Sequence, residues 1–477
     1  QVNVVGGWSF SENKNKRDGY SVVGFNDDLH MNPAFSTGFT DGQKPNYSLE
    51  RSRSTSFFMN VNYSFMNRYL MDFNVRSDGT SKFGANKRFS TTWSVGLAWN
   101  LHNEEFMKSL GLFTNFKIRA SVGNPGNQNF DAYQAMKIYK YNVELQNMFG
   151  SSAIIDQFGN KDLDWQRTLD KNIGVDISML RNRIRVTLDY YYKDTDPLLI
   201  SVPMPPSVGV GSINANAGRQ LSWGWNGSFF GTVIQKQNMS WTLNVNFRTS
   251  KSEYRDIGDK LNEFNELGSA QSLVRYYEGA SPDDMWAVPS LGIDPATGAE
   301  MFRKKDGSQT FIYSTADEVV VGCSRPDVEG VIGSSFYYKG FSASVNFRYR
   351  LGGEVMASAL YSKVENISEE QIYYNQDKRA LHDRWKQPGD KAKFKSIKDN
   401  SPTPMSSRFV RTENTFSGES ISMGYESSAA WIKKIGAEGV TFRAYMNDIF
   451  RLSSFKEERG TDYPFARTVS FSLSLRF

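Results

Sequence analysis

The stretch "TVSFSLSLRF" at 468–477 sets apolar Val469, Phe471, Leu473, Leu475 and Phe477 against polar Ser470, Ser472, Ser474 and Arg476. Successive side chains of a strand point to opposite faces, so strict alternation describes a strand with one apolar and one polar side. With 39% apolar residues, a given nine-residue window alternates in this way with probability roughly 0.001, so one such window in 477 residues is worth little. Repetition gives it weight. Phe57, Met59, Val61, Tyr63 and Phe65 share a phase, as do Tyr69, Met71, Phe73 and Val75, then Trp93, Val95, Leu97 and Trp99. The pattern returns at 116–122, 173–177, 184–190, 225–233, 241–247, 341–349, 421–425 and 440–446.

Connection lengths constrain the fold further. About fourteen strands are predicted, near 2–11, 54–66, 69–77, 90–101, 114–122, 171–179, 183–192, 220–234, 239–252, 330–338, 341–350, 417–427, 438–446 and 467–477. Long connections, at about 12–53, 78–89, 123–170, 193–219, 253–329, 351–416 and 447–466, alternate with short ones such as "MNR", "LRN" and "KG". Transmembrane barrels keep short turns at one rim and long loops at the other, whereas a Greek-key sandwich has no reason for such parity. The parity puts both chain ends at the short-turn rim. The expected fold is therefore all-β: a transmembrane antiparallel barrel occupying 1–477.

Bulk properties agree. The mean hydropathy is negative, and no run of eighteen apolar residues offers a transmembrane helix. Barrels hide their apolar residues in alternation, so neither fact argues against a membrane. The 34 Phe, 23 Tyr and 10 Trp suit interfacial girdles, to which Trp93, Trp99, Trp223 and Trp241 are assigned. A net charge of +5 without a basic block gives no reason to expect nucleic acid. One cysteine, Cys323, excludes an intrachain disulfide. The segment 365–387 has helical spacing and is predicted as a surface helix.

The segments "RYLMDFNVRSDGTSKFGANKRFSTTWSVGLAWNLHNEEFMK" (68–108) and "DLDWQRTLDKNIGVDISMLRNRIRVTLDYYYKDTDPLL" (162–199) resemble the SusC/RagA-like TonB-dependent transporters of the Bacteroidetes outer membrane. "WAVPSLGIDPATGAEMF" (286–302), "YYKGFSASVNFRYRLGGEV" (337–355) and "YPFARTVSFSLSLRF" (463–477) extend the resemblance in order along most of the chain. The resemblance implies a 22-stranded barrel around an N-terminal plug. About fourteen strands are present, so about eight, with the plug and the TonB-contacting segment, are expected upstream. It also implies active import of oligosaccharide, or alternatively oligopeptide, under a SusD-like surface lipoprotein. TonB would act through a part absent from this chain, lipopolysaccharide would surround the barrel, and two SusC–SusD pairs would associate. Phe477 resembles the assembly signal that ends outer-membrane barrels.

Conventional catalytic patterns do not appear. His30, His102 and His382 are scattered and form no H-E-x-x-H, and "VGVGS" (208–212) lacks the G-x-G-x-x-G and P-loop spacings. No enzyme and no cofactor is expected. Asp283, Asp284, Asp256 and Asp259 offer oxygens to a calcium ion but lack EF-hand spacing, so solvated loop residues are the better description. Cargo-binding candidates are aromatic and polar loop residues: Trp165, Arg275, Tyr276, Tyr277, Asp283, Asp284, Trp286, Tyr373 and Tyr374. For each, ordinary loop packing or contact with a partner lid is the better description. Two other classes remain open. One is a passive porin complete in about fourteen strands, whose first and last strands would pair. The other is a soluble glycan-binding β protein without an apolar belt.

Overall fold

The structure is a computed structural model. It describes residues 1–477 apart from 25–31, 41–44, 83–87, 126–136, 160–163, 205–206, 208, 217, 263–264, 267–271, 435 and 456–466. Fourteen strands follow one another in a single antiparallel meander. They are β1 (Val2–Gly19), β2 (Asn46–Phe65), β3 (Tyr69–Thr80), β4 (Phe89–Asn100), β5 (Phe113–Asn124), β6 (Thr168–Met179), β7 (Ile184–Thr195), β8 (Arg219–Lys236), β9 (Met239–Arg248), β10 (Val328–Tyr338), β11 (Phe341–Leu351), β12 (Thr415–Ser427), β13 (Gly439–Ser453) and β14 (Val469–Arg476). Each predicted strand is present. A fifteenth piece, Lys251–Arg255, continues β9 against β8 after a break at Thr249 and Ser250. β1 and β14 are not paired with each other, so the sheet has two edges.

The register turns alternation into two continuous surfaces. Directly opposed residues of antiparallel strands share a face. Val4, Val61, Phe73, Val95 and Val122 are opposed in sequence across β1 to β5. Ile177, Val186, Phe229, Val245, Ile332 and Phe347 carry the same face from β6 to β11. Ile421, Met446 and Val469 complete it. Many of its members are exposed, among them Trp8, Leu97, Ile173, Met423 and Phe471. An apolar face this large would be unstable in water and is the natural wall of a barrel in lipid. Phe57 to Phe65 spans eight residue steps, roughly 27 Å along the strand and about 20 Å of membrane after tilting.

Aromatic residues mark both rims of this belt. Phe65, Tyr69, Trp99, Tyr338, Phe341 and Tyr425 lie toward the short turns. Trp8, Phe57, Trp93, Tyr190, Trp225 and Phe247 lie toward the long loops. Tyr349 reaches over Gly330 and donates to the Asn246 carbonyl at 2.9 Å; a Cβ on Gly330 would meet its hydroxyl at 2.6 Å and its ring at 2.8 Å. The short turns are sharp because their residues accept positive φ. Met66 and Asn67 stand at +51° and +55°, and Lys339 and Gly340 at +44° and +90°, the paired signs of type I′ hairpins.

The opposite face is polar and hydrogen-bonded. Asn60 donates to Asn74, Asn74 donates to Ser94 at 3.3 Å, and Ser344 and Ser422 meet at 2.8 Å. Arg119 bridges Asp176 at 3.0 Å and Asp189 at 2.7 Å across three strands.

Three expectations about the connections change. β1 and β2 run about eight residue pairs further than the alternation indicates, as a two-stranded ribbon. Its sequence, "SENKNKRDG" against "NYSLERSR", has no apolar face and so leaves no alternation to read. The connections 123–170 and 193–219 contain hairpins, Ile138–Asn147 with Gly150–Gln157 and Leu199–Pro203 with Ser212–Asn216. The surface helix over 365–387 does not form: Glu370–Tyr373 is a 3₁₀ turn and Lys378–His382 a short α-helix. The chain folds back instead. Ala380 packs with Val364, Phe394 and Phe409, and Arg384 donates to the carbonyls of Val364, Glu365 and Lys395.

Candidate functional site

At the loop end of the polar face, the inward residues of β3 to β9 line a groove of about 780 Å³. Inward positions fall on every second residue, which selects Asn74 and Arg76 from β3, Asp170 and Asn172 from β6, Tyr191 and Lys193 from β7, and Arg248 from β9. Its charges are largely paired. Arg76 meets Asp78 at 2.7 Å, and Lys193 meets Asp170 at 3.2 Å. Arg248 is exposed, stands opposite Glu329 in register, and has no ion-pair or hydrogen-bond partner among the described residues. The groove thus presents amides, hydroxyls and charges, with Tyr191 as its inward aromatic residue.

Loop residues close the rim. Arg325 donates to Asp283 at 2.6 Å and to Ser250 at 2.8 Å, and Ser252 donates to Asp283 at 3.2 Å. The Asp283 contact holds the Arg325 guanidinium above its ordinary pKa. Asp283 is therefore the sequence candidate that adjoins the groove. Its neighbour Asp284 instead accepts from the Ser281 amide at 2.8 Å and caps its own turn.

The remaining candidates fall into three environments. Trp165 and Arg275 are buried, each 1% exposed. Arg275 binds both oxygens of Glu318, at 2.8 and 2.7 Å, and donates to the carbonyls of Ser272 and Val274. These two residues are loop core, not loop surface. Tyr276 packs on Tyr254 with ring centroids 5.5 Å apart, beside Leu198, Ile257 and Leu261. Tyr277 and Trp286 form a half-buried pair at 4.7 Å, and burial raises the Tyr277 pKa. The Trp286 indole N–H is buried without a hydrogen-bond acceptor among the described residues. Tyr373 and Tyr374 are open to solvent, 90% and 75% exposed. Phe477 is exposed just beyond β14. His30 lies outside the described residues, as does the side chain of Asp259.

The groove residues escaped sequence reasoning although their signal was present. They are the polar half of the same alternating strands, taken at the long-loop end. Aromatic content drew attention to the loops instead.

The two longest connections form one cap. Val288 bridges Ser406, Ser407 donates to the Val288 carbonyl at 3.1 Å, and Trp385 donates to the Pro295 carbonyl at 2.9 Å. Arg408 joins the two connections, reaching Glu300 at 2.8 Å and Glu365 at 2.7 Å. Burial alone would lower its pKa, but the two carboxylates outweigh burial and raise it.

A meander of amphipathic strands with a lipid-type belt, a polar inner face and long loops at one rim defines an outer-membrane β-barrel wall. The model of the TonB dependent receptor-like beta-barrel family matches residues 3–286, and the chain belongs to that family. TonB-dependent receptor P39 of Formosa agariphila is 25% identical over 453 residues, covering 84% of this chain and 43% of the relative. TonB-dependent receptor SusC of Bacteroides thetaiotaomicron is 26% identical over 463 residues, covering 90% and 44%. The solved RagAB peptide transporter shares the fold with a TM-score of 0.80 at 21% identity, covering 95% of this chain and 50% of that one. The chain is SusC-like, resides in the bacterial outer membrane, and spans less than half the length of the curated relatives it matches.

Proposed function

We propose that this chain supplies the lipid-facing wall, inner lining and extracellular loops of an active importer of oligomeric nutrients. The observation that carries the reading is the register itself: one apolar and one polar surface, each continuous over fourteen sequential strands. A soluble glycan-binding protein has no use for such a belt. A porin complete in fourteen strands would join β1 to β14, and these strands are not paired. Upstream strands would close the wall, and a plug would fill it.

In this reading a SusD-like lipoprotein captures cargo over the long loops. TonB acts through the part of the protein outside this chain, and two such pairs associate. The importer performs no catalysis and uses no cofactor. Asp283, the best-placed carboxylate for a loop calcium ion, is already held by Arg325. The exposed Phe477 serves assembly, so Phe477→Ser should lower surface levels without changing cargo preference.

Oligosaccharide is the first cargo reading, with Tyr277–Trp286 and the exposed Tyr373 and Tyr374 as flat faces. Oligopeptide is the second. The groove's amides and charges suit peptide backbones, and the shared fold with the RagAB peptide transporter supports it. Deleting the gene and growing cells on defined glycans or peptides tests both. Loss of growth on one class identifies the cargo. Unchanged growth and uptake on every class would overturn the importer reading.

A further inference from the structure

Among the described residues, four cations and one acid line the groove: Arg76, Lys193, Arg248 and Arg325, with Asp170. Three of the cations already hold a carboxylate. Arg76 holds Asp78, Lys193 holds Asp170 and Arg325 holds Asp283. Arg248 is the exception, and it is exposed on the inner face. Neutral groups stand around it. Asn226 opposes it in register, and Ser250, two residues further along, accepts from Arg325 at 2.8 Å.

The register shows why Arg248 is left over. It opposes Glu329 of β10, and Glu329 opposes Arg350 of β11. One carboxylate thus stands between two guanidinium groups whose backbones are two strand spacings apart, roughly 10 Å. Glu329 turns to Arg350, but loosely: the contact is 3.6 Å, too long for a hydrogen bond. The Arg350 Nε is accordingly buried without a hydrogen-bond partner among the described residues. Arg348, two residues back on the same face, is held by Glu419 at 3.0 Å. Arg248, Arg325 and Arg350 therefore face two acids, Asp283 and Glu329, and one positive charge is in excess.

We propose that Arg248 receives a carboxylate of the cargo, so that the importer selects acidic oligomers. The inference deepens the importer reading and rests on it. A guanidinium presents a planar fork that matches a carboxylate with two parallel hydrogen bonds, and here that fork has no competing bond to break. A cleft backed by a low-dielectric wall concentrates the field of an unpaired charge, which favours an arriving anion. Asn226 and Ser250 supply the uncharged contacts beside it. The same chemistry is offered by a uronic-acid oligosaccharide and by a peptide with acidic side chains. Glu329 faces the same guanidinium from the next strand, and its charge opposes the incoming carboxylate. Removing Glu329 and removing Arg248 should thus act in opposite directions, a pair of signs that a merely structural arginine does not produce.

The full-length protein, purified in detergent, is titrated calorimetrically with two matched pairs of probes. One pair is a mixture of uronic-acid oligosaccharides and the same mixture as methyl esters. The other is a set of glutamate-containing peptides and their glutamine counterparts. The acidic member of one pair should bind more tightly, and which pair it is names the oligomer. Arg248→Gln should weaken that acidic member about tenfold and leave the neutral member unchanged. Arg248→Lys should restore part of the loss, because the charge stays and the fork goes. Glu329→Gln should tighten the acidic member. The heat-dependent gel shift checks that each variant is folded. No preference for the acidic member in either pair, absence of binding included, overturns the proposal. So does an Arg248→Gln variant that weakens acidic and neutral probes alike, which would assign Arg248 to a carboxylate of the upstream part of the protein. Uptake in cells separates the two readings. Import of neutral cargo alone removes only the carboxylate site, and acid-selective binding without import removes only the importer.

Discussion

The wall and the loop cap solve the same problem in opposite solvents. Of the twenty buried apolar residues described, only Tyr191 lies on β1 to β14; the others belong to the connections. The wall leaves its apolar side chains outside, and lipid takes the place that a core would fill. Between its two edges, its backbone groups are satisfied strand to strand, because hydrocarbon offers no alternative partner. The cap faces water and builds a conventional interior from Val364, Ala380, Phe394 and Phe409. Among the described residues, fully buried ion pairs occur only in the cap: the side chains of Arg275 and Glu318 are 1% and 4% exposed, and those of Arg408 and Glu365 are 9% and 0%. The wall can be specified by a period of two, whereas the cap depends on particular long-range pairs.

The largest effect expected is on the cap. Arg408→Ala would leave the buried carboxylates of Glu300 and Glu365 without the guanidinium that joins them. Breaking a buried ion pair from one side costs about 3–5 kcal/mol. Limited proteolysis should then cut within 256–327 and 352–414 at much lower protease doses. The heat-dependent gel shift that reports the barrel should persist. If both regions fail together, the cap and wall are one cooperative unit and the contrast between them is wrong.

A smaller effect should separate the two faces of one strand. Val345 sits on the belt between Ser334 and Ile421, and Ser344 sits beside it on the inner face, bonded to Ser422. Arginine on the lipid face near the bilayer midplane costs about 2–4 kcal/mol. Val345→Arg should therefore lower folding yield into vesicles, and Ser344→Arg should lower it far less. Equal losses would mean that the belt assignment is misplaced.

This contrast also explains what the sequence disclosed. All fourteen strands were legible because each wall strand repeats its own evidence, and the turns "MNR", "LRN" and "KG" fix where the phase restarts. The ribbon half of β1 was not, since a two-stranded ribbon in water buries neither face. The cap was illegible for another reason. Arg408 and Glu300 are 108 residues apart, and no local pattern announces that they meet. Trp165 and Arg275 look like binding residues by type, and their burial is decided by tertiary partners. The groove lay between these cases: its residues were in the strand pattern, but their convergence required the register.

Acid should distinguish the regions most gently. Three cap carboxylates, Glu278 and Asp306 exposed and Asp294 half-buried, are held below their ordinary pKa values. For Glu278 the main cause is the Ile257 amide at 3.0 Å, for Asp294 the Thr297 hydroxyl at 2.6 Å, and for Asp306 the Ser308 hydroxyl at 2.6 Å. Because the folded pKa lies below the unfolded one, the stabilisation is fully present above the ordinary carboxylate range. It is lost as pH falls through the lowered values. The ladders that hold the belt contain no titratable group. Hydrogen exchange at pH 7 and then below about pH 4, corrected for intrinsic rate, should show protection lost around Glu278, Asp294 and Asp306 while β2 to β5 stay protected. Cap turns that stay as protected in acid as the wall would show that backbone packing, and not these carboxylates, fixes them.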